Sequence, residues 1–129
     1  MPKFGKSSLE RLATCDHRLQ EVLHEAIKIV DFSVLCGHRN KHQQNALYPK
    51  QSKVQWPNSR HNSMPARAVD VAPYPVDWSD TNRFSFLAGL IIGIGKTKGY
   101  TITWGADWDS DGNINEHGFL DFPHFQIED

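Results

Sequence analysis

The sequence predicts an α+β fold: one small domain in which helices pack on a small, mostly antiparallel sheet. Three observations carry that expectation. Some segments repeat apolar residues at steps of three and four, the period of a buried helix face, while others are short apolar runs or alternations of strand length. These two kinds of segment do not alternate regularly, as units building a parallel sheet would. Finally, 129 residues that are 39% hydrophobic and 22% charged suffice for one core and hardly for two. Such a composition excludes collagen-like, low-complexity and disordered chains. Residues 1–129 therefore read as one domain, with no internal repeat and no linker.

Ser7 and Glu10 have capping-box spacing, which predicts a short helix from about Ser8 with Leu9, Leu12 and Ala13 turned inward. Asp16 reads as the cap of a second helix, whose stripe is Leu19, Val22, Leu23, Ala26, Ile27 and Val30. Phe32 to Cys36, ended by Gly37, reads as a buried strand. Residues 37–66 are polar, with one short helix near His42 to Leu47, and so little apolar pattern inside a compact domain marks functional loop. Ala66 to Ala72 alternates as a strand and stops at Pro73 and Pro75. Asp80 or Thr81 then caps a helix to about Lys98 with the stripe Phe84, Leu87, Leu90, Ile91 and Ile94. Gly89 and Gly93 inside it each cost about 1 kcal/mol relative to Ala, which predicts close approach of another element. Tyr100 to Trp104 and Phe122 to Ile127 complete the strands, with an Asp/Gly/Asn loop at Asp107 to Asn113 between them.

The net charge of −1 gives no global signal for nucleic acid. It averages over a gradient, however. Residues 1–67 carry eleven Lys/Arg against five Asp/Glu, and residues 68–129 carry three against ten. Cys15 and Cys36 do not make a disulfide framework and read as reduced, packed thiols. No secretory signal is visible, and the apolar stretch Phe84 to Gly95 falls short of the roughly 20 residues that span a bilayer. The expected first location is the cytoplasm, without stable membrane insertion.

Seven histidines raise the question of a metal. His17, His24, His38 and His42 read as surface residues. There is no HExxH, no GxSxG and no Gly-rich phosphate loop. What remains is Ser59-Arg60-His61, Ala66-Arg67-Ala68-Val69-Asp70 and Asp121-Phe122-Pro123-His124. Asp70 stands between Ala68 and Ala72 on its strand face, so its small neighbours leave room for an ion and a substrate. His124 shares a face with Phe122 and Gln126. Two imidazoles and one carboxylate suit a catalytic zinc site whose fourth position stays open for water.

These segments, with CGHR upstream, WGADWD, and FLDFPHFQI at the end, resemble the LAS zinc peptidases in order over roughly residues 34–127. That group contains D-alanyl-D-alanine carboxypeptidases and phage L-alanyl-D-glutamate endolysins, and the endolysin branch looks closest. The resemblance implies that His61, Asp70 and His124 hold Zn2+, that Asp121 is the catalytic base, and that Arg39 helps hold substrate or transition-state charge. Nine positions separate His61 from Asp70, more than is common in the family, and many relatives have Glu in place of Asp121. Asp121 and His124 lie three apart, so on a regular strand they would face opposite ways; they converge only if the backbone bends, which Pro123 favours.

Ser59 and His117 are candidate substrate contacts. The loop residues Asp107, Asp109, Asp111 and Asn113 have the order of a calcium loop but lack its closing Glu, so a turn is the first reading and Ca2+ the second. The implied activity is hydrolysis of the L-alanyl-D-glutamate bond in peptidoglycan stem peptides, leading to lysis. The implied enzyme is a monomer with no separate wall-binding domain, stored in the host cytoplasm and admitted to the wall by a separate pore-forming protein. The alternatives are a D-alanyl-D-alanine carboxypeptidase or dipeptidase, and a metal-stabilised wall-peptide binding module that would not need Asp121.

Overall fold

The computed structural model describes residues 2–110, 112 and 121–129. In chain order the elements are α1 (Lys6–Leu12), α2 (His17–Ala26), β1 (Phe32–Cys36), α3 (Lys41–Leu47), a 3-10 turn (Arg60–Asn62), β2 (Ala68–Pro73), α4 (Thr81–Thr97), β3 (Thr101–Trp104) and β4 (His124–Glu128). The strands form one sheet in the order β1-β2-β4-β3, and each neighbouring pair is antiparallel. The α+β expectation holds.

Helices α2 and α4 begin where carboxylates cap them. Asp16 accepts from the Arg18 amide at 2.9 Å, and Asp80 accepts from the Arg83 amide at 3.3 Å. Leu19, Val22, Leu23 and Ala26 of α2 meet Phe84, Leu87, Ala88 and Ile91 of α4 in the core. Val69 and Val71 of β2, Ile102 of β3, and Phe125 and Ile127 of β4 close that core from the sheet. Each such side chain contributes about 1.5–3 kcal/mol through burial. Among the described residues, no helix is long and apolar enough to cross a membrane.

Two local expectations fail. Helix α1 starts at Lys6 after Gly5, which has no side chain to cap it, so Ser7 lies inside the helix instead of capping it. The Ser8 hydroxyl accepts from the Val34 amide at 3.0 Å. That bond docks α1 on β1, and of the expected apolar face only Leu12 is buried; Leu9 and Ala13 are exposed. Gly89 and Gly93 have open space where a Cβ would stand. The close approach comes at Gly95 instead, where an added Cβ would lie 3.0 Å from Ile102 Cδ1, and the chain then reverses through Gly99 at φ +82° into β3.

Strand β1 carries a feature that the alternation does not announce. Val34 pairs with Val71 and Cys36 with Asp70, so one extra residue is accommodated between them. Val71 and Asp70 point to opposite faces of β2. The bulge therefore turns Cys36 out of the core face and onto the Asp70 face. Both cysteines are free, as expected. Burial pushes the Cys15 thiol up to about 12, so it stays an inert packed thiol.

Candidate active site

Asp70 sits in β2 directly across from His124 of β4. His61 comes from the long polar loop and is fixed by the 3-10 turn. Ser59 caps that turn, its hydroxyl accepting the His61 amide at 3.2 Å while Asn62 Oδ1 accepts the Ser59 amide at 3.0 Å. The turn is tied to the CGHR segment by the Arg39 amide, which donates to the His61 carbonyl at 2.8 Å. The His61 ring is 1% exposed, and its Nδ1 lies 2.7 Å from the Gly37 carbonyl. A carbonyl only accepts, so Nδ1 carries hydrogen and Nε2 faces Asp70.

His61 Nε2 stands 3.2 Å from Asp70 Oδ1, and His124 Nδ1 stands 3.4 Å from the same oxygen. The two rings meet edge on, with centroids 5.3 Å apart. His61 Nε2 and Asp70 Oδ1 are buried without a hydrogen-bond partner. Leaving such atoms unpaired costs about 1–3 kcal/mol each. The two separations match the edge of about 3.3 Å expected between ligands of a tetrahedral zinc with bonds of about 2.0–2.1 Å. These donors fit a zinc ion by type and by their unmet bonding, each imidazole lying at about that edge distance from Asp70 Oδ1. Among the described residues, the group whose ligand atoms all lie within 4.8 Å of one another is Cys36, His61 and Asp70; it takes in Cys36, which the sequence did not single out, and does not take in His124, whose measured approach is to Asp70 alone.

The electrostatics follow from this convergence. Burial pushes the Asp70 carboxyl up, but the His124 and His61 imidazoles outweigh it and hold the group well below the usual carboxylate range. Burial works against charge on His61, yet Asp70 and Cys36 raise it to about 9. The Cys36 thiol is pushed up by burial and drawn down further by His61 and Arg39, for a net lowering. Arg39 is engaged on three sides: with Asp70 Oδ2 at 3.3 Å, Cys36 Sγ at 3.4 Å and Gln44 Oε1 at 3.0 Å. Gln44, the one buried residue of α3, also donates to Ser52 and Val54 and so pins the loop over the site.

Asp121 and His124 converge because the backbone does bend. Strand β4 starts at His124 rather than at Phe122, and the His124 amide donates to the Asp121 carbonyl at 3.1 Å, closing a turn around Phe122-Pro123. Gly105 lies under this turn. Its amide donates to the His124 carbonyl at 2.8 Å and its carbonyl accepts from the Asp121 amide at 2.9 Å. An added Cβ there would run into the Asp121 carbonyl and lie 3.0 Å from His124 Cβ. Burial, then the charge of Asp70, raises the Asp121 carboxyl above its ordinary value. Asp121, His61, His124, Arg39 and Ser59 all line one cavity of about 290 Å³. The Trp108 ring is 5.6 Å from His124 on its wall.

His117, Asp111 and Asn113 lie outside the described residues. Of the remaining loop, Asp107 accepts from the Ser110 amide through its carbonyl at 3.0 Å and from the Gly112 amide through Oδ2 at 2.7 Å, which is turn geometry. Among the described residues the metal-capable cluster is Cys36, His61 and Asp70, and the calcium reading gains no support.

A family model described as phage L-alanyl-D-glutamate peptidase matches residues 1–128. The chain belongs to that family. This LAS-type peptidase is 29% identical over 133 aligned positions to the L-alanyl-D-glutamate peptidase of Escherichia phage T5, with 97% of each chain covered. Its fold matches the crystal structure of the Serratia marcescens L-Ala D-Glu endopeptidase ChiX with a TM-score of 0.76 at 26% identity, covering 98% of this chain and 90% of that one. The landmarks that suggested the LAS group thus sit in a zinc metallopeptidase of that group.

Proposed function

We propose that this peptidase hydrolyses the L-alanyl-D-glutamate bond of peptidoglycan stem peptides, with His61, Asp70 and His124 holding a zinc ion and Asp121 moving the proton. The observation that carries this reading is the convergence of His61 Nε2 and His124 Nδ1 on Asp70 Oδ1, with two of those three atoms buried and unpaired. A zinc ion held there supplies Lewis acidity toward water and the scissile carbonyl. Asp121, half-buried in the same cavity and raised in pKa, is suited to take the proton of the attacking water and pass it to the leaving amine. That placement favours an enzyme over a wall-peptide binding module, which has no use for a half-buried carboxylate beside the ligands.

Arg39 has two tasks in this proposal. Through Oδ2 it fixes the Asp70 carboxylate so that Oδ1 faces the imidazoles, and its charge on the cavity wall favours negative charge growing on the carbonyl oxygen. Lys53 and Arg60 on the same wall suit the carboxylates of a D-glutamyl peptide. Ser59 serves first as the cap that holds His61. The proposal treats the chain as one catalytic domain, made in the host cytoplasm and delivered to the wall through a separate pore-forming protein; lysis on co-expression with such a protein, and none without it, checks that route. Purified muropeptides incubated with the zinc-loaded protein should yield products with new N-terminal D-glutamate by mass spectrometry. Loss of terminal D-alanine, or unchanged peptides, would overturn the assignment.

A further inference from the structure

Alternation along β4 places His124, Gln126 and Glu128 on one face, and they form a chain of hydrogen bonds. His124 Nε2 lies 2.8 Å from Gln126 Oε1, and Gln126 Nε2 donates to Glu128 Oε1 at 2.8 Å. Glu128 Oε2 accepts from Arg60 at 3.3 Å, and the same guanidinium donates to the Ile127 carbonyl at 3.1 Å. Arg60 precedes His61 in the 3-10 turn. The chain therefore links the loop that carries one imidazole to the strand that carries the other.

Its polarity is dictated by the end groups. A guanidinium only donates and a carboxylate only accepts, so the Gln126 amide must present its NH2 to Glu128 and its carbonyl to His124. A carbonyl only accepts, so the His124 hydrogen sits on Nε2. Nδ1 is then left with its lone pair facing Asp70 Oδ1 at 3.4 Å. A reversed amide would favour the other tautomer, with a hydrogen where a cation must bind.

We propose that Gln126 is a positioning residue that sets the tautomer and ring orientation of His124, and that Glu128, anchored by Arg60, sets the orientation of Gln126. The inference rests on the reading of His124 as a zinc ligand. Partners behind a metal-bound imidazole typically change metal affinity by about 10–100-fold.

The test combines zinc affinity, by competition with a chromophoric chelator, with NMR detection of the His124 Nε2–H proton in the zinc-loaded protein. Gln126→Leu should weaken zinc binding by about 10–100-fold and lose exchange protection of Nε2–H. Glu128→Gln keeps the shape but frees the Gln126 amide to turn over, and should weaken zinc several-fold; a merely structural role would leave it unchanged. Gln126→Glu combined with Glu128→Gln retains an acceptor for His124 and a donor for that acceptor, and should recover most of the affinity. If Gln126→Leu folds poorly, the isosteric Glu128→Gln and the paired variant decide the matter. Wild-type affinity and Nε2–H protection in Gln126→Leu or in Glu128→Gln would overturn the proposal. Retention of stoichiometric zinc by His124→Ala would instead sink the ligand assignment, a separate failure from that of the Gln126 bond.

Discussion

Asp121, which lines the cavity, and Asp70, which contacts the two imidazoles that line it, are carboxylates with opposite displacements. Asp70 is surrounded by His61, His124 and Arg39 and is held ionised, whereas Asp121 is raised first by burial and then by Asp70 itself. Environments that push two groups apart in this way separate a permanent anion from a proton carrier. Asp121→Asn preserves the shape but removes the carboxylate that the proposed mechanism uses as its base. Peptide cleavage should fall by about 10²–10⁴-fold while zinc remains bound at one equivalent, read by muropeptide turnover and metal analysis on the same sample. Gly105 makes a sharper case for placement. Gly105→Ala forces the Asp121-to-His124 turn away from β3, because the new Cβ runs into the Asp121 carbonyl. Cleavage should drop with the catalytic side chains unchanged, and the loss should appear in kcat rather than in KM. A wild-type kcat would mean that the turn's position is not what brings Asp121 to the site.

At the scale of elements, caps and strand pairing do different work. Asp16 caps α2 and accepts from both the amide and the guanidinium of Arg18, which lowers its carboxyl to about 2. A carboxyl depressed in the fold stabilises it above the unfolded pKa, and that contribution fades as pH falls from about 4 toward 2. Asp16→Ala should therefore cost about 1–2 kcal/mol in denaturant titrations at neutral pH, with the gap to the wild type closing over that acid window. This cap was legible in the sequence, because Asp before an apolar stripe is a local signal. The Ser7/Glu10 spacing does not cap α1 because the helix begins one residue earlier, at Lys6 after Gly5, and the tertiary bond between Ser8 and Val34 that docks it is nothing a local pattern encodes. Strand β1 was bounded correctly at Phe32–Cys36, yet its bulge was invisible, since a bulge is defined by the partner strand. Cys36 consequently reads as a core thiol in sequence and stands beside His61 and Asp70 in space. Gln44 and Gln126 escaped notice for a related reason: a glutamine in a polar helix or strand face has no periodic signature, and its meaning arises only from what it touches.

Across the whole molecule, the sheet order joins what the chain keeps far apart. β2 lies between β1 and β4, so Cys36, Asp70 and His124 fall in one row across three strands while the loop brings His61 over that row. Three ordered motifs point to His61, Asp70 and His124, but nothing in their spacing says that two of their polar atoms are left buried and unpaired. That unmet bonding couples metal to stability. A ligand that binds only the folded state adds about 2.7 kcal/mol at a concentration 100 times its Kd. In a domain of this size each kcal/mol moves Tm by roughly 3–5 °C. Stripping zinc with a chelator should lower Tm by about 10 °C, and restoring it should recover the loss. In His124→Ala the same treatment should shift Tm far less, because one of the donors is missing in both states. An equal shift in that variant would place the stabilising metal somewhere other than between His61, Asp70 and His124.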